Sequence, residues 1–268
     1  MNRWLGAPLM ALLVGACAPV DTGSAITIKG GAATTLKARS VDFMVWAPSS
    51  LADASGKIVN ADVSGIVAQG AGNIVAQGAG NIVAQGAGNF RAPTFSLQAT
   101  QTNFLPVEGA AVQLFDLDDK PVGKLTVISR ADGSLSIKGV PDGKPLVAVA
   151  RWKQGKQIRR TSAVIGLGEA AMVALDPINH FVEARVRDVL AKSGKLGKVQ
   201  PSQLKAVWNA FNRADIPLDE KLLADDATAS DLIAFYKEQV AKLPCDDQKL
   251  VKDYMVELGA DATPVTCN

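Results

Sequence analysis

Leu105–Ala150 reads LPVEGAAVQLFDLDDKPVGKLTVISRADGSLSIKGVPDGKPLVAVA, and its pattern decides the fold. Apolar and polar residues alternate in short runs, and turn-forming pairs separate the runs. A repeat of two is the side-chain period of a strand. Ala111–Phe115 reads as one strand and Asp116–Lys120 as a polar turn. Gly123–Ser129 reads as a second strand, and Asp132-Gly133 is a hairpin signal. Ser134–Lys138 alternates cleanly, Gly139–Gly143 is a turn, and Leu146–Trp152 is a longer strand. Gln154-Gly155 turns the chain, Gln157–Ile165 returns, and Ala170–Leu175 is a last strand. Strands at intervals of roughly eight to twelve residues, with turn signals between them, predict a β-sandwich.

Beyond Leu175 the apolar period changes from two to about 3.6. Asp176-Pro177 pairs a capping residue with a first-turn proline, which marks a helix start. Ile178, Phe181, Val182, Val186, Val189 and Leu190 make one stripe, broken at Gly194 and Gly197. Leu204, Val207, Trp208 and Phe211 make a second, limited by Pro217. Thr228 and Asp231 have capping-box spacing, ahead of Leu232, Phe235, Tyr236, Val240 and Leu243. Pro244 ends that helix. Leu250, Val251, Tyr254, Met255 and Leu258 form a fourth stripe, stopped at Gly259. Four such helices predict a small helical bundle.

Several residues of the opening stretch carry a family resemblance. Val107-Glu108-Gly109-Ala110-Ala111-Val112, Gly123, Ala131-Asp132-Gly133 and Ile137-Lys138-Gly139-Val140-Pro141-Asp142-Gly143-Lys144 resemble the skeleton of the carboxypeptidase regulatory-like domain. The resemblance implies a transthyretin-like β-sandwich. It also implies a module that accompanies enzymes, receptors and surface proteins and has no catalytic residues of its own. The layout of most of the chain after Cys17 is similar to a group of bacterial lipoproteins.

The N-terminal residues bear on compartment. Met1-Asn2-Arg3 is a short positive region. Leu5–Val14 is mostly apolar and too short to span a bilayer. Val14-Gly15-Ala16-Cys17 resembles a bacterial lipobox, which implies cleavage before Cys17 and acylation of that cysteine. The alternative is an ordinary signal peptide with an incidental cysteine. Several acyl chains anchor stably where one would be marginal. Ala18 follows the cysteine, where an aspartate would signal inner-membrane retention, so an outer-membrane location is expected. In an oxidising compartment the remaining cysteines, Cys245 and Cys267, are candidates for a disulfide worth about 3 kcal/mol; the alternative is two free thiols. A zinc site has little support, because His180 is the only histidine and no paired-cysteine spacing occurs.

Residues 17–64 read as a loosely structured stalk with short strands at Ala25–Ile28 and Val41–Trp46. The octad Ile-Val-Ala-Gln-Gly-Ala-Gly-Asn then occurs three times without change, at Ile66–Asn73, Ile74–Asn81 and Ile82–Asn89. Each copy has four strand-compatible residues followed by four that suit a turn. No copy can bury its Ile and Val alone, so copies must stack on something. A length-variable spacer and an amyloid-like assembler are both open readings; the glycine content weighs against the second. Thr94–Ala99 alternates as a further strand.

Composition and motifs narrow the function classes. Hydrophobic residues make up 48% of the 268, enough for a folded core, and the net charge is +2. Nucleic acid is therefore not an expected partner. The basic run Lys153–Arg160 reads as a solvated hairpin, and His180 as a structural or exposed histidine. Asp116, Asp118 and Asp119 cluster in one turn but lack the ligand spacing of a calcium loop. Neither a phosphate-binding glycine loop nor a nucleophile elbow is present.

We therefore expect an α+β protein. Residues 1–16 are a signal peptide, 17–64 a stalk, 65–89 the repeats, 90–175 an antiparallel transthyretin-like or Ig-like sandwich, and 176–268 a helical domain. The expected function is that of a non-enzymatic lipoprotein of the bacterial cell envelope. It would be tied to the membrane through Cys17 and display its sandwich to a protein or glycan partner or serve a structural role. Self-assembly through the octads and an accessory role beside an envelope enzyme are the alternatives. No catalytic residue, metal or cofactor is expected.

Overall fold

The computed structural model describes residues 38–60, 104–123, 126–168 and 172–262. Cys17, Cys267, the octads and the strands expected at Ala25–Ile28 and Thr94–Ala99 lie outside the described residues. The strands are β1 (Ala38–Pro48), β2 (Ile58–Val59), β3 (Phe104–Glu108), β4 (Ala111–Phe115), β5 (Val127–Ile128), β6 (Ser134–Pro141), β7 (Leu146–Gln154), β8 (Gln157–Ile165) and β9 (Val173–Leu175). The helices are α1 (Pro177–Ser193), α2 (Pro201–Arg213), α3 (Ala229–Lys242) and α4 (Cys245–Leu258). The chain is thus α+β, with its helices at the C-terminal end.

The strands form two sheets. One runs β2-β3-β1-β6, with β9 also paired to β1. The other runs β5-β4-β7-β8 and is antiparallel throughout. The first is mixed, which departs from the all-antiparallel expectation: β9 lies parallel to β1, and β2 parallel to β3. A parallel neighbour needs a long connection, and both of these strands have one. Alternate residues of each strand enter one shared core, including Phe43 and Val45 of β1, Leu135 and Ile137 of β6, Leu114 of β4, and Trp152 of β7. Each such side chain contributes on the order of 1.5–3 kcal/mol by leaving water.

Val41–Trp46, which the sequence places in the stalk, extends to Ala38–Pro48 and lies inside the first sheet. It pairs with β6 on one side, Val41 opposite Ile137 and Phe43 opposite Leu135. Its other side is shared by β9 and β3.

Two turn signals have different outcomes from those expected. Asp132-Gly133 does not close a hairpin, because β5 and β6 belong to opposite sheets. The turn is tight: the Gly133 amide donates to the Arg130 carbonyl at 2.9 Å, and Asp132 Oδ1 accepts from the Ser134 amide at 2.9 Å. It carries the chain across the core edge. Gly139 sits within β6 and not in a turn. The register with β1 shifts there, between Arg39 and Val41, and Gly139 has φ +77°. A bulge of this kind inserts one extra residue opposite a single partner and favours glycine.

Two helices, α1 and α3, begin where their caps predict. Asp176 Oδ1 accepts from the Asn179 amide at 2.8 Å, with Pro177 at the first helical position. Thr228 and Asp231 form both halves of a capping box. The four apolar stripes meet in a second core with Val164 of β8. Phe181 packs edge-on against Phe211, centroids 5.1 Å apart at 84°, a favoured aromatic geometry. Leu250 departs from its expected stripe: it is an exposed residue at the flank of α4, whose buried side is Val251, Tyr254, Met255 and Leu258.

Gly133 makes the crossing turn possible. Its φ is +75°, and a Cβ there would lie 2.6 Å from the Val45 carbonyl oxygen. Gly155, at the β7–β8 turn, has φ +59° with open space around it. Gly155→Ala should therefore cost about 1 kcal/mol, the left-handed penalty alone. Gly133→Ala should cost at least about 2 kcal/mol, because the clash adds to that penalty. Urea unfolding of the two variants beside the parent checks the order.

Candidate functional site

The alternation of β8 sends Thr161, Ala163 and Ile165 into the sheet core and Ser162 and Val164 towards α1. Ser162 meets two polar side chains on that helix. Its Oγ lies 2.7 Å from His180 Nδ1 and donates to Glu183 Oε2 at 2.9 Å. His180 and Glu183 are three apart in sequence, which places them on one helix face. All three are shut in, at 0%, 1% and 2% exposure. A serine nucleophile needs to reach its substrate, and this one cannot. The order also differs from that of a hydrolase triad, because the hydroxyl stands between imidazole and carboxylate.

The cluster continues outward through Arg187. Its Nη1 lies 3.4 Å from Glu183 Oε1. The same guanidinium donates to both carboxylate oxygens of Asp119, at 2.8 and 2.6 Å, and to the Leu117 carbonyl at 2.9 Å. Arg160 of β8 stands close enough to act electrostatically on both Glu183 and His180. Burial, aided by Arg160, lowers the imidazole to about 3, with the Leu222 carbonyl opposing. Burial raises the Glu183 carboxyl, and the Arg187 and Arg160 guanidiniums oppose it. Arg187 is raised, chiefly by its bond to Asp119.

A second buried group sits at the start of α1. Asp176, wholly buried, accepts from the Asn179 amide through Oδ1 and from Trp208 Nε1 through Oδ2 at 2.7 Å. It therefore caps α1 and ties α2 to it. Burial pushes its carboxyl up to about 6 against those donors.

The other acidic and basic candidates are engaged by the fold. Asp116 Oδ1 accepts from the amides of Asp118 and Lys120, at 3.0 and 2.9 Å, which makes this a side-chain-closed turn. Asp142 Oδ1 accepts from the Gly168 amide at 3.1 Å and lies 3.5 Å from Arg39 Nη1. Among the described residues, no three His, Cys, Asp or Glu side chains gather as a metal site. The basic run is less solvated than expected: the Arg159 backbone bridges to Ala224, Arg159 Nη1 donates to the Glu220 carbonyl, and Arg160 is half-buried. The segment before α3 covers this strand edge, a common protection against edge pairing. Cys245 is the first residue of α4.

His180 is thus buried and hydrogen-bonded, not exposed. Ser162, Glu183 and Arg187 were not anticipated. A signal existed for Glu183, because a charged residue interrupts the apolar run between Val182 and Val186. No family model, no curated protein and no solved structure matches the chain.

The folded Asp176 carboxyl titrates above its ordinary value near 3.8, at about 6. Its contribution to stability is therefore full below about pH 4 and is lost as the pH rises through about 6. Asp176→Asn cannot titrate. Parent and variant should both fold, and the parent's stability relative to the variant should fall as pH is raised from 4 to 6. Urea unfolding at a series of pH values measures this.

Proposed function

We propose that this protein is a non-enzymatic lipoprotein of the bacterial cell envelope. In this reading, acyl chains on Cys17 hold it to the outer membrane, and residues 18–37 give the folded unit reach, while the repeats leave and rejoin that unit between β2 and β3. The observation that carries it is Val14-Gly15-Ala16-Cys17, set directly behind a short apolar run and a positive N-terminus. Such an arrangement suits a cleaved and acylated leader. Two or more chains then give stable attachment. Among the described residues no helix is long and apolar enough to cross a membrane.

The displayed part is, in our reading, a transthyretin-like sandwich with a helical layer docked on one sheet. Two sheets around one core, with the Asp132-Gly133 and Gly139–Gly143 segments at their junctions, support that assignment. A binding or structural role is favoured by the site chemistry. Ser162, His180 and Glu183 face one another inside the seam, and Asp116, Asp119 and Asp142 close turns or hold arginines. The unit's partner would be a protein or a glycan. Pairing of Cys245 with Cys267 belongs to the same reading, because an exported chain meets an oxidising compartment.

The anchor is open to a direct test in bacterial cells. The full chain should sediment with membranes and take up labelled palmitate, and Cys17→Ala should abolish both. A Cys17→Ala protein that remains membrane-bound would overturn the lipid-anchor assignment.

A further inference from the structure

The seam between β8 and α1 holds an unbroken hydrogen-bonded path from a buried imidazole to a strained surface turn. His180, Ser162, Glu183, Arg187 and Asp119 are its members, joined at 2.7, 2.9, 3.4 and 2.6 Å. Asp119 has φ +61°, one of two non-glycine residues with positive φ among those described. A side chain in that region costs on the order of 1–3 kcal/mol unless its surroundings hold it. The bidentate Arg187 grip and its bond to the Leu117 carbonyl supply the hold.

The Ser162 hydroxyl can satisfy both of its neighbours in two arrangements of protons. The Ser162 hydroxyl carries one proton, so it donates to one neighbour and accepts from the other. In the first arrangement Glu183 is ionised, the hydroxyl donates to it, and His180 carries its proton on Nδ1. In the second, Glu183 is the acid and donates to Ser162. The hydroxyl then donates to Nδ1, and the imidazole proton is on Nε2. The second holds one proton more than the first. A proton bound at Nε2 converts the first into the second by a relay. The Nδ1 proton passes to Ser162 Oγ, and the hydroxyl's own proton passes to Glu183 Oε2. No group needs to rotate, and the charge that disappears is the one that Arg187 faces.

We propose that this path is a proton-operated switch: protonation at the His180 ring neutralises Glu183 through Ser162, frees Arg187 from its inner carboxylate and so alters its hold on the Asp119 turn. The groups that face the buried end come from every element around it. Arg160 of β8 and Arg187 of α1 favour the ionised carboxylate, whereas burial favours the acid. Asp119 of the β4–β5 turn and Asp225 of the segment before α3 compensate the two arginines, and Arg151 of β7 is itself paired to Asp225 at 2.8 Å. The Leu222 carbonyl, on the Nε2 side because Ser162 takes Nδ1, favours the Nε2 proton of the second arrangement. Opposed influences suit a group that must change state.

His180 is the only histidine of the chain, so its ring nitrogens give one unambiguous set of NMR signals. In the full-length chain with 15N-labelled histidine, the ring should pass from the Nδ1–H to the Nε2–H tautomer as pH falls. The backbone amides of Asp119 and Lys120 should shift with the same midpoint. Glu183→Gln mimics the acid form, so it should lock the Nε2–H tautomer at all pH values and remove that midpoint from the turn. Arg187→Lys keeps the charge but loses the two-pronged grip. It should leave the imidazole change in place while uncoupling the turn, and it serves if Glu183→Gln does not fold. A single tautomer across the folded pH range in the parent chain would overturn the proposal. So would a turn midpoint that persists in Glu183→Gln, or one that still tracks the ring in Arg187→Lys.

Discussion

The second half of β8 has no face in water. From Thr161 to Ile165 every residue is buried, with one side against the sheet core and the other against α1. Most edge strands present one open side and one open edge. Here α1 covers the face of that half, and the segment before α3 covers the strand's edge in its first half, through the Arg159–Ala224 bridge and the Asp225 amide bonded to the Ile158 carbonyl. Two hydrophobic cores thus share a single strand as their wall. Neither the sheets nor the helices bury their apolar surface fully without it.

That shared wall is polar at its centre, and the balance of energies there is informative. Burying a charged or hydroxyl-bearing side chain costs several kcal/mol unless its partners replace water. Ser162, His180 and Glu183 provide one another with those partners, and Arg160 and Arg187 balance the carboxylate. Asp176 and Trp208 do the same one turn earlier on α1. A hydrophobic seam of the same area would hold at least as tightly, but it would tolerate slippage of α1 along β8. Hydrogen bonds of fixed direction admit one register. They also leave a titratable chain inside the protein, which an apolar seam would not.

Conformational cost is concentrated in the connections that move between layers. Gly133 lets the chain leave the second sheet and enter the first with its carbonyl bonded to the Val45 amide at 2.9 Å. The Asp119 turn lies over α1 and depends on Arg187, 68 residues later in the chain. Local sequence prefers neither of these long-range dependencies. Both are held by partners that become neighbours only after the sheets have formed.

Where the side-chain period, the caps and the turn residues act within a few positions of one another, their meaning survives folding. Ala111–Phe115 and Gln157–Ile165 occupy their expected bounds, the caps at Asp176 and Thr228 start α1 and α3, and the octads stand out as a repeat. Other features depended on what packs against what. Asp132-Gly133 has the composition of a hairpin but crosses between sheets, because β6 gains a longer partner in β1 than β5 could provide. Val41–Trp46 looked like part of a tether and became an inner strand, since its alternate residues had a core to enter. His180 alone carried no message. It acquired one from Ser162, 18 residues earlier, because the return of α1 across β8 brings the two within 2.7 Å. Periodicity and capping are properties of neighbouring residues and can be read in order along the chain. Which sheet a strand joins, and which buried proton donor meets which acceptor, depend on distances that the fold alone creates.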